Sequence, residues 1–313
     1  MGSSVWSQFD KKEWGKSYPE YSWNILNEVY RSSDWHDFTN FGKGDDFSNS
    51  IAYGQYDVLP VESDLSVLEN YDLLIFAGWN TMTEEIYDKL KKYVEEGGHL
   101  VACASHLNTN NKRDGGYYPI KNGKINDLFG VEITGKSTTN NGVKFYADGL
   151  GNDVQYPGTQ DFICDCNFCS GYADYVTVKL NGAKVVCFFE DKFAPAPENM
   201  EKVRPAVVEN KMGNGITTLI TYMDYPGKPS VYPLYKVVVK ELLTSSNRNC
   251  DLKVVCNDKV RFALYYDENG FEKVYLLNTD FNVSQQVVVN YKGEEKQAIL
   301  SPCGLSYFEF LNE

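Results

Sequence analysis

The stretch from Asp72 to Ala104 constrains the fold more than any other part of the chain. Asp72-Leu-Leu-Ile-Phe-Ala77 is a short apolar run bounded by Gly78, the pattern of a parallel strand buried on both faces. Thr83 then offers an N-cap. Glu84 and Glu85 suit the positive end of a helix dipole, and Ile86, Leu90, Tyr93 and Val94 fall on one apolar stripe. Gly97 and Gly98 stop the helix, and Leu100-Val-Ala-Cys-Ala104 reads as a second buried strand. Strand, helix and strand at this spacing make a βαβ unit with a right-handed crossover, so an α/β layer with a doubly wound sheet is expected.

The flanking sequence is read around that unit. A strand is expected at Val5–Phe9, a helix from Pro19 to about Arg31, and a polar loop over Ser32–Ser50. Ile51–Leu59 alternates toward a strand ending at Pro60. Residues 130–215 read mostly as β, with loops at Tyr156–Gly158 and Ala194–Pro197. Ile216–Tyr222 is a further strand, followed by a helix from about Val231 to Leu243. Ser245–Asn249 reads as a linker, which divides the chain into domains 1–245 and 250–313. The second domain carries short runs at Lys253–Val255, Arg261–Tyr266, Lys273–Asn278, Gln285–Asn290, Ala298–Leu300 and Tyr307–Leu311. Regular spacing of such runs predicts a small antiparallel, sandwich-like β-domain.

Charge narrows the partners. A formal net charge of −13 argues against nucleic acid and anionic membranes, which need a positive face, and no basic run overrides it. No stretch approaches the roughly 18 apolar residues of a membrane span. Met1–Trp6 lack the charged-then-apolar form of a signal peptide. Eight cysteines over 313 residues do not make a disulfide scaffold, so reduced, mostly buried thiols in a bacterial cytoplasm are expected. The 23 tyrosines suit either a β-rich chain or polar-rimmed surfaces that grip sugars and partner proteins.

The run Tyr71–Asn80, the helix ending Tyr93-Val-Glu-Glu-Gly-Gly98 and the strand Leu100–Ala104 resemble the class I glutamine amidotransferase-like, flavodoxin-like fold. More closely, they resemble its catalytically silent version, the trimerisation domain of family 42 β-galactosidases. Such a domain follows a catalytic barrel and precedes a small β-domain, and Val274–Phe281 with Gly304–Phe310 is similar to that terminal domain. The resemblance covers about 50–245 and, more weakly, 250–313; the aromatic segment before Ile51 has no counterpart in it. It implies a homo-oligomer and an accessory role beside a barrel that this sequence does not contain.

Carried over residue by residue, the amidotransferase chemistry fails. Cys103 stands where that family places its nucleophile, but the glycines needed two residues to either side are here Val101 and Ser105. A thiol nucleophile also needs a late histidine, and the three histidines are His36, His99 and His106. At the place of the oxyanion loop, Ala77-Gly78-Trp79, Trp79 replaces a small residue. Cys103 is therefore expected to be a structural thiol, with no catalytic residue and no cofactor.

In a doubly wound sheet, ligands meet the carboxyl ends of the strands. Glu62, Trp79, Asn80, Thr81, His106, Asn108, Asp224 and Tyr225 are the candidates there, with Ser105 and Leu107 between them. Together they offer an aromatic face, amides, hydroxyls, an imidazole and two carboxylates, a mixture suited to a carbohydrate. The plainer alternative is that Asn80, Thr81 and Asn108 cap turns while Trp79 fills a subunit contact. Glu62 and Asp224 could form a glycosidase pair only if they stood about 5–10 Å apart.

Cys164-Asp-Cys166-Asn-Phe-Cys169 is the one dense thiol cluster. It lacks a second cysteine hook, so free thiols in a β-segment are expected, with a metal or a local disulfide as alternatives. Lys211-Met-Gly-Asn-Gly215 precedes a strand and reads as a turn, not a phosphate cradle. The functional expectation is a non-catalytic accessory and oligomerisation region of a carbohydrate-active enzyme. A stand-alone hydrolase of glycosides or amides and a carbohydrate-binding module are the alternatives.

Overall fold

A computed structural model describes residues 57–78, 80–111, 116–139, 143–145, 173–189, 203–228, 230–246, 252–257, 259–266 and 272–310. The expected elements at Val5–Phe9 and Pro19–Arg31, most of Ile51–Leu59, Trp79 and the Cys164–Cys169 cluster lie outside the described residues. The chain divides into two compact units, whose main segments are Leu59–Leu242 and Leu243–Glu313.

In the first unit the strands are β1 (Leu73–Ile75), β2 (His99–Cys103), β3 (Val131–Thr139), β4 (Val143–Phe145), β5 (Ala173–Leu180), β6 (Lys184–Phe189), β7 (Pro205–Met212) and β8 (Gly215–Ile220). The helices are α1 (Leu65–Leu68), α2 (Glu84–Glu95), α3 (Asn126–Phe129) and α4 (Tyr232–Ser246), the last of which runs past Leu242 into the segment of the second unit. One sheet runs β1-β2-β8-β7-β6-β4. Its β1, β2 and β8 are parallel, with Leu73 opposite His99 and Leu100 opposite Thr217. Beyond β8 the pairing turns antiparallel through β7, β6 and β4. Strands β3 and β5 form a separate antiparallel ribbon. The sheet is therefore mixed, and parallel winding among the described strands covers β1, β2 and β8.

The βαβ unit forms as its sequence dictates. Thr83 Oγ1 accepts a hydrogen bond from the Ile86 amide at 3.2 Å, capping α2. Ile86, Leu90, Tyr93 and Val94 are buried on its inner face, joined by Tyr87, which the apolar stripe did not include. Tyr87 can go inside because its hydroxyl donates to Asp127 Oδ1 at 2.7 Å, and Tyr93 likewise donates to the Tyr71 carbonyl at 2.8 Å. Strand β2 is enclosed on both faces, which explains why Leu100–Cys103 carry no polar side chain.

Lys211–Gly215 is the β7–β8 hairpin turn, with Met212 opposite Gly215. Gly215 is required there, because a Cβ would run into the carbonyl oxygens of Val94 and Gly98. Helix α4 starts one residue later than its periodicity predicts and runs to Ser246. Tyr235 on it donates to the Phe76 carbonyl at 2.7 Å, seating the helix at the end of β1.

The second unit holds β9 (Lys253–Val255), β10 (Val260–Tyr266), β11 (Glu272–Asn278), β12 (Gln285–Tyr291), β13 (Glu294–Leu300) and β14 (Leu305–Phe310). They form two antiparallel sheets, β10-β11-β14 and β13-β12-β9. Strands β11 and β12 alternate strictly between buried and less buried positions. Val260, Val274, Leu276, Val287, Val289, Tyr291, Leu300 and Phe310 from both sheets make one core. Buried Asn278 organises one edge: its amide donates to the carbonyls of Val283 and Ser301 at 2.8 and 2.9 Å, and its Oδ1 accepts from the Asp280 amide.

Candidate functional site

Strand β2 runs out at Cys103 and passes directly into a 3₁₀ turn over Ala104–Leu107. Cys103 has φ −92° and ψ 158°, ordinary extended backbone. A nucleophile lifted from a strand end sits on a strained turn, and none is present here. The Cys103 thiol accepts from the backbone amide of His106, while His106 Nδ1 accepts from the Cys103 amide at 2.9 Å. Both side chains are fully buried. Burial pushes the thiol far above its usual range, so it stays protonated.

Burial also holds the imidazole neutral, lowering it to about 4 against the opposing pull of the Ala77, Cys103 and Gly78 backbone. Because Nδ1 accepts from an amide, the ring proton resides on Nε2. The thiol and the imidazole are thus committed to each other's backbone, and neither is placed to activate the other.

Aromatic rings enclose the imidazole. Phe76 lies 5.2 Å from it and Tyr225 stands edge-on at 5.3 Å. Asn80 Nδ2 donates to the His106 carbonyl at 2.9 Å, joining the loop after β1 to the turn after β2. Burial raises the Tyr225 phenol, against a hydrogen bond from the Asn80 backbone. Tyr117 donates to the Ala104 carbonyl at 3.0 Å, and the Ser105 amide donates to the Tyr222 carbonyl at 3.3 Å. The fold therefore gathers Asn80, Ser105, His106 and Tyr225 at the ends of β1, β2 and β8.

The other candidates are placed differently. Asp224 is mostly buried: its Oδ2 accepts from Lys228 Nζ at 2.5 Å and from the Asp174 amide at 3.3 Å. Burial raises its carboxyl, with Lys228 opposing. Asn108 organises a turn, its Oδ1 accepting from the Asn110 and Tyr118 amides at 3.1 and 3.0 Å. Thr81 is half-buried. Glu62 lies exposed in a turn pinned to α2 by Lys89, which donates to the Ser63 and Val61 carbonyls. No described hydrogen bond joins Glu62 to Asp224. Trp79 lies outside the described residues.

Sequence reasoning passed over Phe76, Tyr117 and Lys228. Lys228 carried a signal, standing four residues after Asp224; Tyr117, in an irregular loop, carried none. Among the described residues no group of three or more His, Cys, Asp or Glu side chains could hold a metal ion. No described helix is long and apolar enough to cross a membrane.

Comparison with known proteins gives three findings. Residues 53–243, more than half of the chain, match the model of the family described as beta-galactosidase trimerisation domain. No curated protein matches the chain. Among solved structures, Gan42B, a GH42 beta-galactosidase from G. stearothermophilus, is 19% identical with a TM-score of 0.49, covering 85% of this chain and 34% of its own. The beta-galactosidase of Bacillus circulans sp. alkalophilus is 14% identical with a TM-score of 0.49, covering 84% and 35%. Alpha-L-fucosidase isoenzyme 2 of Paenibacillus thiaminolyticus is 13% identical with a TM-score of 0.50, covering 83% and 43%. The chain spans about a third of the length of the two beta-galactosidases.

Proposed function

The chain belongs to the beta-galactosidase trimerisation domain family, and from that premise we propose that it is the accessory, oligomer-forming region of a glycoside hydrolase. The observation that carries the proposal is the family match over 53–243. The strand-end geometry supports it. At the point where a related fold would place a nucleophile, the thiol and imidazole of Cys103 and His106 are buried and turned onto backbone amides.

The finer reading keeps a flavodoxin-like, amidotransferase-like α/β domain over 1–245 and a sandwich-like β-domain over 250–313, in a bacterial cytoplasmic enzyme. The partner is a second and third copy of the same chain. If this region also borders a sugar, exposed Glu62 and partly exposed Thr81 and Asn108 are the side chains able to reach it. Asn80, His106, Asp224 and Tyr225 are buried in support.

Sedimentation of the 35.5 kDa chain over a wide concentration range tests the assembly role. The expected result is a mass that rises with concentration toward a trimer, with no turnover of aryl-galactosides or glutamine. A chain that stays monomeric throughout, or turnover abolished by Glu62→Gln, would refute it.

A further inference from the structure

In a two-sheet sandwich one face of each sheet fills the core, and alternation leaves polar side chains on the other. The β13-β12-β9 sheet largely obeys this, with Gln286, Asn290, Glu295 and Gln297 outside beside Val288 and Ile299. The β10-β11-β14 sheet does not. Val274, Leu276 and Phe310 serve its core side. The strand register then sets the outward residues in three rows: Tyr265-Lys273-Glu309, Ala263-Tyr275-Tyr307 and Arg261-Leu277-Leu305. Tyr265 and Tyr307 are 49% and 51% exposed, so their rings are not spent on packing the interior.

The three tyrosines touch in sequence across the sheet. Tyr265 stands edge-on to Tyr275 with ring centres 5.9 Å apart, and Tyr275 lies 5.6 Å from Tyr307 at a tilt of 39°. The result is a stepped aromatic row. Lys273 Nζ lies 5.7 Å from the centre of the Tyr307 ring and pairs with Glu309 at 3.3 Å, giving the row a polar border.

Charge and size select the occupant. Glu309 neutralises Lys273, so the row lacks the positive track that a nucleic-acid strand needs, in a chain whose net charge is −13. Three neighbouring strands with three outward residues each span roughly 10 by 14 Å between outer Cα positions. Even with side-chain width, that area falls well short of the about 800 Å² per partner in a stable protein interface. A small uncharged ligand with apolar faces and a polar edge remains. Sugars have that chemistry: ring C–H bonds stack on tyrosine, while the hydroxyls meet phenol, ammonium and carboxylate groups.

We propose that Tyr265, Tyr275 and Tyr307 form a stacking site for a short, soluble, neutral oligosaccharide. The tilts between the rings suit a chain whose successive sugar rings turn, rather than the flat surface of a crystalline polysaccharide. The site lies in the second unit, outside the 53–243 family match, and does not rest on the assembly role.

Calorimetric titration of the whole chain with galacto-, xylo-, cello- and manno-tetrasaccharides tests it, with sedimentation run in parallel. At least one sugar should bind. Tyr307→Ala should weaken that binding about tenfold or more, and Tyr307→Phe, which keeps the ring, should largely retain it. The sedimenting mass should be the same in all three proteins. Absence of binding by all four sugars at millimolar concentration overturns the proposal, as does unchanged affinity in a folded Tyr265→Ala, Tyr307→Ala double variant. A lower oligomer mass in the variants also overturns it, because the face would then be a contact between copies. If the variants fail to fold, a wild-type crystal soaked with the tightest-binding tetrasaccharide decides: sugar against Tyr275 and Tyr307 is expected, and sugar located elsewhere refutes the site.

Discussion

Cys103 and His106 cap each other: the thiol accepts from the backbone amide of His106, and the imidazole accepts from the backbone amide of Cys103 at 2.9 Å. The pairing ends β2 and starts the 3₁₀ turn. It uses the hydrogen-bonding capacity that a thiol–imidazole catalytic pair would need for substrate. Four consequences of this pairing and of packing elsewhere in the chain can be measured.

The Cys103 thiol should resist alkylation in the folded chain. It is buried and protonated, whereas Cys303 is an exposed thiol in the second unit. Brief iodoacetamide treatment followed by peptide mass spectrometry should label Cys303 and leave Cys103 intact until denaturant is added. Labelling of Cys103 at a rate near that of Cys303 would contradict the buried placement.

Acid should destabilise the first unit in a histidine-dependent way. His106 and His99 are both lowered from 6.5 to about 4 by burial. Below pH 6.5 the unfolded chain therefore takes up protons that the folded imidazoles refuse, and stability is lost as pH falls toward 4. The contribution is complete above about pH 6.5. For His106 it is on the order of 3 kcal/mol, and somewhat less for partly exposed His99. His106→Asn should flatten the fall in urea midpoint between pH 7 and pH 4.5. An equal fall in wild type and variant would remove His106 from the account.

Gly215→Ala should be among the most damaging small substitutions in the molecule. The added carbon meets the carbonyl oxygens of Val94 and Gly98, both on backbone that cannot rotate aside. The end of α2 would have to part from the β7–β8 hairpin, at a cost of about 3 kcal/mol or more. Chemical denaturation should show it, with Gly293→Ala as a contrast. Gly293, unlike Gly215, has a positive φ but nothing within 4 Å of an added Cβ, so its cost is the milder one of backbone strain.

Asn278→Ala should destabilise the second unit by about 2–4 kcal/mol. It strands the carbonyls of Val283 and Ser301 and the Asp280 amide, all near a fully buried side chain. Asn278→Asp should be worse, because a carboxylate oxygen would face those carbonyls. Since the chain has two units, each transition is best followed separately. A loss below about 0.5 kcal/mol would mean that solvent replaces the amide freely.

The sequence alone determined the local architecture wherever periodicity and end signals agreed. Thr83, the buried stripe through Val94 and the Gly97–Gly98 stop define α2, because capping and amphipathicity act within a few residues. The alternation of Val274, Leu276, Val287 and Val289 defined the β-domain for the same reason. The absence of flanking glycines at Val101 and Ser105 was enough to expect an idle Cys103, since an elbow is a local backbone demand.

Tertiary structure decided everything that depends on residues far apart in the chain. That β8 pairs beside β2, and that the sheet turns antiparallel beyond it, follows from long-range pairing that local periodicity cannot express. Tyr87 is buried because Asp127, forty residues on, accepts its hydroxyl. The strand-end candidates separate by the same logic: Asn80, His106 and Tyr225 come together in the interior, while Glu62 is drawn to the surface beside Lys89. A polar residue type states what bonds it can make, but only packing supplies or withholds the partner.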